Sequence, residues 1–163
     1  MIKSISYWAL EHGLAGTHPV DQALADADKA GFEALELAVG TEGAFHVDSN
    51  ASECQKIAKL IEQSSIEVPT VAAGLSWGCN PVSNDADTRK QSIELHAKAL
   101  QRTADVGAKA MLMVPGVVSG PMSGGKHVRY DLAMQRVTEA VEQLLPLAEK
   151  VGVDLCLENV WNG

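Results

Sequence analysis

The sequence has 163 residues, 46% of them apolar and 21% charged, the composition of one globular domain with enough apolar side chain for a core. A formal net charge of -8 argues against nucleic-acid binding by phosphate neutralisation and leaves any anionic ligand dependent on local cations. The N-terminal stretch lacks a secretory pattern, no apolar run reaches membrane-spanning length, and three cysteines without C-x-x-C spacing suit a reducing compartment, so a cytoplasmic protein without membrane contact is expected.

Short apolar runs alternate with longer segments of helical period, the pattern of βα units around a parallel sheet. The first strand is expected over residues 2–8. A helix entered at Pro19 follows, with Ala23, Leu24, Ala27 and Ala30 on its buried face and Gly31 as its end. The second strand is expected over 32–39. The second helix opens at Asn50 with Glu53 three residues on, a capping-box spacing, and buries Cys54, Ile57, Ala58 and Ile61.

A third strand is expected over 68–73, then a helix from about Thr88 that turns Ile93, Ala97, Leu100 and Ala104 inward and stops at Gly107. The fourth strand is expected over 110–114. The fourth helix spans about 131–150 with Met134, Val137, Val141, Leu144 and Ala148 on one side. Pro146 lies inside it, so a kink or an early end is expected there. A fifth strand over 153–157 is followed by only six residues. Because a (β/α)8 barrel takes roughly 250 residues, the expected fold is α/β: a partial TIM barrel of five parallel strands and four helices, with the C-terminal units missing and an apolar flank left for self-association. The rival architecture is an open, non-catalytic flavodoxin-like sheet of order 2-1-3-4-5 that binds a phosphorylated ligand or a partner.

In such folds the loops after the strand C-termini carry the chemistry, which directs attention to those strand ends. Glu158 directly ends an otherwise apolar strand. Its carboxylate either enters the barrel mouth, where a hard oxygen ligand suits Mg²⁺ or Mn²⁺ and can move a proton beside a carbonyl, or it pairs with a Lys or caps a helix. Glu36 either hydrogen-bonds a substrate or ties neighbouring strands. Trp8 and Trp77 form an apolar wall for a sugar ring or pack as rim residues. The long loop after strand four carries Lys126, His127 and Arg129, cations for a sugar phosphate or a solvated tract. Its Gly120–His127 stretch nearly spells a P-loop, but His127 replaces the hydroxyl that would bind Mg²⁺. His12, His18 and His46 lie in loops without ligand-like partners, and His96 is expected at a surface or interface.

The segment Leu155-Cys156-Leu157-Glu158-Asn159 resembles the Leu-Glu-Asn strand of xylose-isomerase-like barrels. Gly31-Phe32-Glu33-Ala34-Leu35-Glu36-Leu37 and Ala104-Asp105-Val106-Gly107-Ala108-Lys109 resemble that family's second strand and its approach to strand four. The resemblance implies that residues 1–163 are the N-terminal portion of a sugar or sugar-phosphate isomerase or epimerase. It further implies a divalent cation (Mn²⁺, Mg²⁺ or Co²⁺), and Glu158 as both metal ligand and proton-transferring carboxylate. Glu36, Trp77, Lys126, His127 and Asn159 are the expected substrate contacts, the expected partner is a small sugar or sugar phosphate, and self-assembly into a homo-oligomer is a further expectation. The remaining ligands of the family lie on later strands, so the chain alone is expected to be inactive. The apurinic-endonuclease branch would place histidines where Val71-Ala72-Ala73-Gly74 and Met113-Val114-Pro115-Gly116 stand, which disfavours it.

Overall fold

Each apolar run and the helical period after it become one βα unit. The computed structural model describes residues 2–120 and 127–160. Within them β1 (Ser4–Ser6), α1 (Val20–Lys29), β2 (Ala34–Val39), α2 (Ala51–Glu62), β3 (Thr70–Ala73), α3 (Ala86–Asp105), β4 (Ala110–Met113), α4 (Tyr130–Val151) and β5 (Asp154–Leu157) alternate strictly. Short 3-10 turns at Tyr7–Ala9 and Gly74–Trp77 extend the tips of β1 and β3. Every pairing is parallel and the sheet order is β1-β2-β3-β4-β5. Sequential addition is the topology of a (β/α)8 barrel, so the fold is part of a TIM barrel and the flavodoxin-like order is overturned.

Strand alternation sorts the side chains into two faces. Leu35, Leu37 and Val39 of β2, Val71 and Ala73 of β3, and Met111 and Met113 of β4 are buried in the cluster that also takes up the helices. Against them pack Ala23, Leu24 and Ala27 of α1, Cys54 and Ile57 of α2, Leu100 of α3, and Leu144 and Ala148 of α4. Each large side chain so enclosed contributes about 1.5–3 kcal/mol of transfer free energy. The opposite face is more polar, with Ser4 and Ser6 of β1, Glu36, Thr70, Asp154 and Cys156 in register across the strands. A second, smaller cluster of Val82, Val128, Ala133 and Val137 joins the loops after β3 and β4 to the start of α4.

Several local expectations change. Helix α3 starts at Ala86 rather than near Thr88, because the Asp85 carboxylate accepts from the Asp87 backbone N–H at 3.2 Å and from the Thr88 hydroxyl at 2.7 Å. Pro146 does not end α4, which continues to Val151. Pro146 and Glu142, whose carbonyl loses its intrahelical donor, are both exposed, so water can satisfy that carbonyl while Leu144 and Ala148 stay packed on the other side. Ala30 and Met134 are exposed instead of buried, Ala30 because it already lies beyond α1 as its C-cap. His96, expected at a surface or interface, is wholly enclosed. Among the described residues no helix is long and apolar enough to cross a membrane.

Candidate active site

Parallel pairing gathers all five strand C-termini at one end of the sheet. There the tips of β1, β2 and β3 border a cleft of about 450 Å³, within the range of small-molecule sites. Its walls are aromatic and aliphatic: Trp8, Phe45, Leu75 and Trp77, with Leu14 of the loop after β1 at the rim. Gly74 lies between the two indoles, and a Cβ built there would stand 3.0 Å from Trp8 Cζ2 and 3.6 Å from Trp77 Cδ1. The approach of Trp8 is tight, so a side chain at position 74 would make that ring give by a few tenths of an ångström, whereas the distance to Trp77 is ordinary van der Waals contact. Among the described lining residues Glu42 alone is ionisable.

Backbone contacts hold the walls. The Ala44 N–H donates to Gly16 O at 2.8 Å, joining the loops that follow β1 and β2. Below them the Tyr7 hydroxyl donates to His18 O at 2.5 Å, and His18 Nε2 lies 3.0 Å from Asp26 Oδ2, so His18 braces the foot of the loop. Burial pushes the Tyr7 phenol above its usual range, partly offset by the bond to His18.

Glu158 stands at the same end of the sheet. Its backbone N–H donates to Met113 O at 3.1 Å, which fixes it to the tip of β4 just beyond β5. Leu155 packs toward the helices, so alternation puts Asp154, Cys156 and Glu158 on the other, polar face. Glu158 is exposed, and among the described residues its carboxylate has no hydrogen bond or ion pair. Among the described residues it is therefore neither locked to a Lys nor used as a helix cap.

The other expected site residues are dispersed. Trp77 lines the cleft. Glu36 lies deeper on the polar face, accepting from Thr70 Oγ1 at 3.2 Å, a bond between adjacent strands. Asn159 is exposed next to Glu158. His127 is exposed on the far rim, where its carbonyl accepts from Asn84 Nδ2 at 3.1 Å, and it is not in the cleft's described lining. Lys126 lies outside the described residues, as does most of the near-P-loop stretch. Sequence reasoning missed Glu42, Phe45 and the gap at Gly74. The signal for Glu42 was available, since Gly40-Thr41-Glu42-Gly43 directly follows the second strand.

As a metal centre the arrangement is partial. Among the described residues no three His, Cys, Asp or Glu side chains come together to hold an ion. Glu158 offers one oxygen ligand with free lone pairs, which fits one position of a hard-cation site and cannot by itself form one.

A family model described as xylose isomerase-like TIM barrel matches residues 24–163. The chain belongs to that family. Among solved structures it is similar to a D-tagatose 3-epimerase-like protein, with 18% identity and a TM-score of 0.74 over 100% of this chain and 54% of the other. It is also similar to D-psicose 3-epimerase with D-tagatose from Clostridium cellulolyticum H10, with 21% identity and a TM-score of 0.78 over 98% and 53%. A third is apo 3-keto-D-glucoside 4-epimerase from E. coli, with 14% identity and a TM-score of 0.71 over 98% and 57%. At these identities the likeness is one of fold. The chain spans about half the length of the solved structures it matches. No curated protein matches it.

Proposed function

We propose that residues 1–163 form the N-terminal portion of a cytoplasmic sugar isomerase or epimerase barrel and supply two parts of its active site: the apolar wall for the sugar and one proton-transferring carboxylate, Glu158. The observation that carries this reading is the free Glu158 carboxylate, held at the C-terminal end of the sheet by the bond from its own N–H to Met113 O. In the proposed reaction that carboxylate takes the proton from the carbon next to the sugar's carbonyl, the C–H electron pair forms the new C=C bond, and the carbonyl π pair moves onto the oxygen to give an enediolate. Return of a proton to the opposite face gives the epimer, and return to the neighbouring carbon gives the isomer.

A divalent cation (Mn²⁺, Mg²⁺ or Co²⁺), with Glu158 as one ligand, would supply charge stabilisation for the enediolate when bound. Such a reaction uses a second carboxylate and further ligands, so it belongs to a barrel completed by more βα units, and residues 1–163 alone are expected to turn over no sugar. The cleft favours a neutral sugar over a phosphate ester. Its walls at Trp8, Trp77 and Phe45 suit the C–H face of a sugar, and its described charge, Glu42, is negative. Asn159 beside Glu158 and Glu36 below are the remaining candidates for hydroxyl contacts from the described residues. The direct test is Glu158→Gln in the completed barrel, read as solvent deuterium entering a ketose: incorporation near the wild-type rate ends the assignment.

A further inference from the structure

Between the apolar wall and Glu158 lies a buried polar group with no part in the proton transfer. Ser76, in the 3-10 turn Gly74–Trp77, is 0% exposed, and its hydroxyl donates to Val114 O at 2.6 Å. The Ser76 hydroxyl has one proton, so this bond commits it. Val114 follows Met113, and Met113 O accepts the N–H of Glu158 at 3.1 Å. Trp77 and Glu158 are thus joined through Ser76 and two consecutive carbonyls at the tip of β4.

His96 closes the arrangement from below. It is 0% exposed in α3, and its Nδ1 lies 2.8 Å from Ser92 O, a carbonyl that can only accept, so Nδ1 carries the ring proton. Its Nε2 is 3.4 Å from Ser76 Oγ. The ring fills the space under Ser76 while leaving the hydroxyl proton to Val114. A buried serine could instead have bonded back within its own turn. Here its bond crosses from the β3 loop to the β4 tip, where it resists separation of the two loops.

The geometry points to Ser76, backed by His96, as a positioning residue that sets the distance between the Trp77 wall and the carboxylate-bearing tip of β4 and β5. This rests on the reading of Trp77 and Glu158 as sugar wall and proton-transfer group, but the test needs no turnover. Removing the hydroxyl leaves Val114 O without its donor in a closed site and frees the β4 tip to move, so the effect is local.

The experiment is residue-resolved amide exchange on residues 1–163, together with 19F spectra after 5-fluorotryptophan labelling. Ser76→Ala is expected to speed exchange at the Glu158 N–H about tenfold more than at the α1 amides, as one lost buried hydrogen bond implies. It is also expected to shift or broaden the Trp77 resonance, and Ser76→Thr, which keeps the hydroxyl, is expected to restore both. Exchange that rises equally at all amides, or an unmoved Trp77 signal with Glu158 protection intact, overturns the assignment. Should Ser76→Ala not fold, Ser76→Cys takes its place with the same readings, its thiol being a weaker donor to Val114 O.

Discussion

The indole of Trp8 touches Gly74 so closely that a Cβ on Gly74 would lie 3.0 Å from Trp8 Cζ2 and 3.4 Å from Cη2. Gly74→Ala therefore has to move Trp8, and the open side available to that ring is the cleft. The substitution is expected to weaken binding of a neutral ketose such as D-fructose about tenfold, while changing stability by no more than about 1 kcal/mol, because the ring has only to give by a few tenths of an ångström. Titration calorimetry and urea unfolding read the two separately. Unchanged sugar binding would show that Trp8 does not border the sugar.

Asn80 ties the loop after β3 to the loop after β4. Its side-chain N–H₂ donates to Val117 O at 2.7 Å, and its Oδ1 accepts from the N–H groups of Val117 at 3.1 Å and Val82 at 3.2 Å. A Cβ on Gly116 would lie 2.7 Å from Val82 Cγ2, so the two loops fit with no space to spare. Asn80→Ala is expected to cost about 1–3 kcal/mol, because several backbone groups lose their partner together. Chemical denaturation checks it.

The capping box of α2 gives a smaller and cleaner effect. Asn50 Oδ1 accepts from the N–H groups of Ser52 at 2.9 Å and Glu53 at 3.1 Å, and Glu53 Oε2 accepts from Asn50 N–H at 2.7 Å. Asn50→Ala is expected to lower stability by about 1 kcal/mol without changing ligand binding, measured by urea unfolding with and without the sugar.

His96 makes stability depend on pH in a stated direction. Burial holds its pKa below the ordinary histidine value of 6.5, opposed by the hydrogen bond to the Ser92 carbonyl. The unfolded chain therefore binds a proton that the folded chain resists. The stability due to the neutral ring is present above about pH 6.5 and is lost as the pH falls below it. In urea unfolding between pH 7.5 and 5, wild type is expected to lose more stability than His96→Gln. Parallel slopes would mean that the ring ionises as readily folded as unfolded.

The helix-strand alternation was legible because each unit repeats one local rule: an apolar run, a turn signal, then a helical period. Asn50 with Glu53 marked a helix start correctly for the same reason, since the cap is made by residues three apart. The cleft was less legible. Trp77 was visible as an aromatic after a strand, but the role of Gly74 depends on an approach by Trp8 from another strand, and no local pattern encodes that. His96 was misplaced because its polarity suggested solvent, whereas its ring N–H is taken up by a carbonyl one turn away and its other nitrogen lies against Ser76 on a different element. Pro146 suggested a kink or an early end for α4; the helix runs on to Val151, with solvent able to reach the carbonyl that Pro146 leaves without a donor.

Proton transfer by Glu158 is the central claim to test. In the complete barrel proposed above, deuterium incorporation from solvent into a ketose, followed by NMR, compares wild type with Glu158→Gln. The account predicts that the amide variant loses about 10²–10⁴ of the exchange rate, the range of a general acid–base group, while still binding the sugar. Exchange at the wild-type rate would contradict it.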